Sequence, residues 1–139
     1  DEFLGLGVSA IGFLENTYVQ NVKVLPDYYA KIAAGHLPIE RGKHLTKDDR
    51  IRQWVINALM CHFVIDKNEF FKAFGHEFED YFIDEAEHIK ECVEDSLIQE
   101  DNVRLTVTDL GKLFIRNVCM GFDWYLRQKN GHKRFSRTI

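Results

Sequence analysis

The residues most able to do chemistry near the start of the chain are Gly5 and Gly7. With Ala10 they satisfy the loose dinucleotide-binding spacing G-x-G-x-x-[GA], and Asp27 lies 20 residues beyond Gly7. Such glycines let a backbone approach a pyrophosphate. The context argues otherwise: Asn16, Tyr18 and Asn21 interrupt any long helix after the turn, and no βαβ unit of adequate length follows. What remains is a narrower expectation: paired glycines at a strand allow close approach of a backbone or a ligand, or form a tight sheet corner. Metal ligation is the second possibility. His88 and Cys92 stand four residues apart on an expected helix, and Cys61 and His62 are adjacent. A zinc site needs three or four ligands at tight spacing, and no C-x₂₋₄-C pair is present, so no metal site is expected. Nothing around Cys61, Cys92 or Cys119 marks an activated nucleophile. The residues alone define no catalytic constellation.

Charge supplies a third signal. Between Glu77 and Asp101 there are eleven acids and one base, Lys90, whereas Arg127, Lys129, Lys133, Arg134 and Arg137 close the chain without an acid. This asymmetry marks either an interaction face or a solvated helix side with a basic tail. The length of 139 residues suits one domain with its own core. A hydrophobic content of 45% with 13% aromatics excludes a disordered chain. No apolar run approaches the roughly 20 residues of a membrane span, and three widely spaced cysteines suit a reducing compartment rather than a disulfide framework.

The elements that must position these residues follow from local pattern. Asp1–Gly12 is an apolar, strand-like run that reads as the end of a longer segment. Tyr18–Pro26 reads as irregular, a short helix starts at Asp27 and ends at Gly35, and residues 36–43 read as a loop. Thr46 and Asp49 form a capping box ahead of Ile51, Trp54, Val55, Ala58 and Leu59 at helical spacing, and Asp66 with Glu69 repeats it before a helix closed by Gly75. A longer third helix is predicted from Phe78 to Val93. Leu97–Glu100 and Val103–Val107 form a hairpin around Asp101-Asn102, and Thr108 caps a final helix running to about Gln128, apolar nearly all round. The expected fold is therefore mainly α, a helical winged-helix-like module with a small β-hairpin. The third helix, the usual DNA reader of such a module, carries most of the eleven acids, so nucleic-acid binding is not expected.

Longer strings are more specific than periodicity. GLGVSAIG at residues 5–12, YVQN at 18–21, LPIERG at 37–42 and LTKDDRIR at 45–52 come in order. VTDLGKLFIRNVCMGFDWYLRQK at 107–129 and the terminal FSRTI at 135–139 follow. Over essentially its whole length the chain resembles the C-terminal third of the oxygen-independent coproporphyrinogen III oxidases, a radical S-adenosylmethionine family of haem biosynthesis.

That resemblance implies a division into the end of a catalytic barrel with its linker (residues 1–26), led by a strand remnant, and a C-terminal helical domain (residues 27–139). It implies a cytoplasmic enzyme whose [4Fe-4S] cluster cleaves S-adenosylmethionine, the resulting 5′-deoxyadenosyl radical taking a hydrogen from propionates of coproporphyrinogen III. Loss of CO₂ and an electron then leaves two vinyl groups, as in protoporphyrinogen IX. The cluster-binding C-x₃-C-x₂-C motif does not occur here, so it is expected in an N-terminal radical barrel, the implied partner. This chain alone is expected to bind neither cluster nor S-adenosylmethionine and to be inactive. Of the family's cofactor contacts one carries over: Ile11 matches the isoleucine that touches S-adenosylmethionine. Coproporphyrinogen III carries four propionates, for which Arg134 and Arg137 are the candidate partners. Ser96 stands where the family has Gly, at an expected left-handed helix cap. The competing reading is a non-catalytic module, either a haem-chaperone relative or a winged-helix interaction domain. Apolar surface around Phe3–Phe13 and at Ile115, Met120 and Trp124 is expected to be exposed.

Overall fold

Helix ends in this protein are set by capping chemistry that the computed structural model shows atom by atom. The structure describes residues 2–128, with side chains to 126. About half of the chain is helical, with small antiparallel sheets. It parts into two compact units at Arg50–Ile51.

The first unit holds β1 (Ile11–Leu14), β2 (Thr17–Asn21), α1 (Leu25–Ala33) and β3 (Ile39–His44). The strands form one antiparallel sheet in the order β1-β2-β3. Glu15 and Asn16, at φ 46° and 60°, make the two-residue turn between β1 and β2. The segment read as irregular thus opens in β2 and ends in α1, and the loop at 36–43 is largely β3. Strand β3 escapes a pattern search because its IERGKH side chains are nearly all exposed, so no alternation marks it. β3 pairs with β2 from Thr17–His44 to Asn21–Ile39, with a bulge at Gln20/Asn21.

Helix α2 (Lys47–His62) begins as the capping box requires. Thr46 N–H donates to Asp49 Oδ2 at 2.8 Å and Asp49 N–H to Thr46 Oγ1 at 3.1 Å. Its inward stripe is Ile51, Val55, Ala58 and Leu59. Phe63, at φ 61°, turns the chain into β4 (Val64–Asp66), a strand that sequence pattern misses because only three residues form it. The expected hairpin of β5 (Ile98–Glu100) and β6 (Arg104–Val107) is therefore a three-stranded sheet in the order β4-β6-β5. Asp66 caps α3 (Lys67–Phe74) by accepting from the N–H groups of Asn68 and Glu69, and Gly75 ends it at φ 73°.

The expected third helix is three pieces: α4 (Phe78–Tyr81), a 3-10 turn (Ile83–Glu85) and α5 (Ala86–Glu94). The chain leaves the helix at Phe82 (φ −103°, ψ 32°), yet Phe78, Phe82 and Glu85, at i, i+4 and i+7, all remain buried. The last helix is likewise α6 (Asp109–Leu113), α7 (Ile115–Met120) and α8 (Trp124–Gln128). Its apolar residues on every side are explained by these breaks. Val118, Cys119 and Phe122 are buried, Ile115 packs against the core, and Leu113, Phe114 and Trp124 face outward. Of the apolar surface expected to be exposed, Phe3, Leu4, Leu6, Ile11, Met120 and Trp124 are exposed, whereas Val8, Phe13 and Ile115 are partly buried. Phe70 sits at the centre of the core, its ring within 6.1 Å of Trp54, Phe74, Phe78, Tyr81 and Phe82.

Candidate functional site

In the first unit a strained turn presents apolar side chains outward. Gly7 lies at φ 96° and Ser9 at φ 55°, both in the left-handed region. Glycine is required at Gly5 for a different reason: a Cβ there would sit 2.4 Å from the Ile11 carbonyl oxygen. At Gly7 the same test finds open space. Gly5 therefore serves a close backbone approach and Gly7 a positive φ. The dinucleotide context is missing, since strands β1 and β2 follow the turn and no helix begins there. Ile11 opens β1 opposite Gln20, 55% exposed, with Leu6 at 87% and Leu4 at 55%.

The turn is fastened by polar contacts. Asn21, buried at the end of β2, donates through Nδ2 to the carbonyls of Gly5 and Gly7, each at 2.9 Å. Gly7 N–H donates to Tyr28 Oη at 3.1 Å. Ser9 N–H reaches the Val22 carbonyl, and Asn21 N–H the Ala10 carbonyl, both at 2.9 Å.

In the second unit His88 and Cys92 do meet, Nε2 lying 3.6 Å from Sγ. The same Nε2 is 3.0 Å from the Val118 carbonyl, which occupies it. Among the described residues no three His, Cys, Asp or Glu side chains converge as metal ligands. Burial raises the Cys92 thiol, with Asp95 and Glu91 adding to the effect, and pushes Cys119 up to about 11. Both are protonated, inert thiols, and Cys61 is exposed. Arg134 and Arg137 lie outside the described residues.

Two buried charges gave no signal in the sequence. Glu85, 1% exposed, pairs with Arg52 at 2.9 Å. The same guanidinium donates to the Phe122 carbonyl at 3.1 Å and lies over the rings of Phe82 and Trp124. Lys67, 7% exposed, donates to Glu79, Glu100 and the Asp101 carbonyl at 2.6, 2.9 and 2.8 Å. Each ion pair joins residues 12 to 33 positions apart, beyond any periodicity. Of the eleven acids from Glu77 to Asp101, only Glu85 is buried, so the remaining acidic face is solvated.

The half-helical chain with its two small sheets and outward apolar turn has counterparts among known proteins. The HemN C-terminal domain family matches residues 45–114, and the chain belongs to it. Oxygen-independent coproporphyrinogen III oxidase of Escherichia coli (strain K12) is 41% identical over 138 residues, covering 99% of this chain and 30% of the relative. The enzyme of the same name from Thermostichus vulcanus is 39% identical, covering 99% of this chain and 42% of its own. Among solved structures, coproporphyrinogen III oxidase (HemN) from Escherichia coli, described as a radical SAM enzyme, superposes with a TM-score of 0.83 at 38% identity. That match covers 89% of this chain and 29% of the other.

Proposed function

We propose that this chain is the C-terminal, substrate-covering part of a cytoplasmic oxidoreductase that converts coproporphyrinogen III to protoporphyrinogen IX. Each of two propionates would lose a hydrogen atom, CO₂ and one electron to leave a vinyl group. The observation that carries the reading is the 41% identity to such an enzyme along 99% of the chain. In this reading residues 1–26 close the catalytic barrel, residues 27–139 are the helical domain, and α2, α3 and α5 with the sheet β4-β6-β5 make up its winged-helix-like arrangement.

The two implied cofactors fit these residues differently. A [4Fe-4S] cluster does not fit: Cys61, Cys92 and Cys119 are single, and two of them are buried and protonated. Its ligands therefore belong to the N-terminal barrel, and this chain alone would hold no cluster. S-adenosylmethionine, which supplies hydrogen abstraction when bound, fits in part. Half-exposed Ile11, whose carbonyl lies against Gly5, offers an apolar surface suited to a nucleoside ring. One such surface falls short of the cost of immobilising the ligand, so the isolated chain would not retain it. Arg134 and Arg137 would bind substrate propionates bidentately. The test uses the full-length enzyme. Arg134→Ala with Arg137→Ala should raise KM for coproporphyrinogen III, more so at low salt. Unchanged kinetics with the cluster intact would remove the substrate role.

A further inference from the structure

We infer that Asn21, assisted by Tyr28, is a positioning residue that fixes the turn from Gly5 to Ala10 so that Ile11 is held against S-adenosylmethionine. The inference rests on the reading of Ile11 given above.

Five backbone groups of the turn are claimed by two short segments. The Gly5 and Gly7 carbonyls take both hydrogens of the Asn21 amide, the Ala10 carbonyl takes the Asn21 N–H, Ser9 N–H goes to Val22, and Gly7 N–H goes to Tyr28. The Gly7 residue is thereby held at both its donor and its acceptor. Packing holds the turn only in part, because Leu4, Leu6 and Ile11 are all more than half exposed while Val8 and Ala10 are partly buried. A free chain would seldom keep Gly7 and Ser9 both in the left-handed region. The polar contacts select that shape, and what the shape holds outward is apolar.

The side chain is also specific. Asp has the same size but would turn a carboxylate oxygen toward two carbonyl oxygens, and Leu would leave both carbonyls without a donor.

The experiment uses the full-length, cluster-containing enzyme and four variants: Asn21→Asp, Tyr28→Phe, Ile11→Ala, and Asn21→Asp with Ile11→Ala. S-adenosylmethionine affinity is measured by equilibrium dialysis. Amide deuterium uptake is measured over residues 3–12, and KM for S-adenosylmethionine is compared with KM for coproporphyrinogen III. Asn21→Asp should weaken S-adenosylmethionine about tenfold, speed uptake in the turn, and leave KM for coproporphyrinogen III unchanged. Tyr28→Phe, which loses one acceptor, should weaken it about threefold and decides the matter if Asn21→Asp does not fold. With Ile11 already Ala, the Asn21 substitution should add less than about twofold, because residues acting through one contact are not additive. Faster uptake with unchanged affinity, or a full tenfold loss in the Ile11→Ala background, overturns the inference. If Ile11→Ala itself binds normally, the reading of Ile11 fails and this inference with it. If Ile11→Ala is weakened while Asn21→Asp and Tyr28→Phe are not, only the positioning role fails.

Discussion

Replacing Lys67 with Met tests whether a three-way polar junction holds α3, α4 and the β5–β6 turn together. The ammonium has three protons and three acceptors: Glu79 at 2.6 Å, Glu100 at 2.9 Å and the Asp101 carbonyl at 2.8 Å. Methionine keeps most of the apolar stem and removes all three bonds. Breaking a fully buried ion pair costs about 3–5 kcal/mol. Here the Glu79 and Glu100 side chains are 57% and 30% exposed, so water takes over part of their solvation. We expect a loss of about 2–3 kcal/mol at pH 7. The pH dependence has a definite sign. Burial opposes the charge on Lys67, but its bonds to Glu79 and Glu100 outweigh burial and hold its pKa above 10.5. For Glu79 burial acts upward, and the Lys67 bond outweighs it, holding the carboxyl below 4.5. The raised group contributes stability that is full below 10.5 and lost as pH rises through the folded value. The lowered group contributes stability that is full above 4.5 and lost as pH falls through the folded value. The difference between wild type and variant should therefore be flat from about pH 5 to 9 and shrink toward pH 3. Urea unfolding followed by tryptophan fluorescence reports it, since Trp54 packs edge-on against Phe70 and Phe74. A cost under about 0.5 kcal/mol at pH 7, or one just as large at pH 3, would refute the junction.

Ser96 is left-handed at φ 59°, and Leu97 N–H behind it reaches the Cys92 carbonyl at 2.8 Å to complete the α5 cap. Ser96→Gly should stabilise the chain by about 1 kcal/mol in thermal melts, and no gain would mean the strain is relieved elsewhere. A Cβ at Gly111 would lie 1.9 Å from the Leu97 carbonyl oxygen, which is pinned by Thr108, whereas one at Gly121 would meet only the movable His88 ring. Gly111→Ala should cost about 2–4 kcal/mol and Gly121→Ala less, with His88→Ala easing only the latter; the reverse order would contradict the packing of α6 on β5. With Cys119 pushed up to about 11, iodoacetamide at pH 8 should label Cys61 alone in the native chain and all three cysteines in urea. Equal labelling of native Cys119, read by peptide mass, would show that it is not buried.

What the amino-acid order determines by itself lies within about one helical turn. The Thr46–Asp49 box, the Asp66 cap, the left-handed stops at Gly35 and Gly75 and the Asp101 turn into β6 all form where their residues predict. Each closes its hydrogen bonds over two to five residues, so no distant segment is needed. Tertiary structure alone decided the rest. Strand β3 has no buried face, and β4 exists because β6, some forty residues later, lies beside it. A continuous helix from Phe78 would have been locally acceptable, yet the folded chain breaks it at Phe82 and resumes it at Ala86. Lys67 and Glu85 look like surface charges until the chain returns with Glu79 and Glu100, or with Arg52 already in place. The apolar string around Ile11 was legible, but its fastening was not. A single Asn meets two carbonyls 14 and 16 residues away only because the β1–β2 hairpin and the turn before it fold them onto one another. Backbone propensity acts between near neighbours, whereas the desolvation of a charge or a carbonyl is settled by whichever groups the completed fold brings to it.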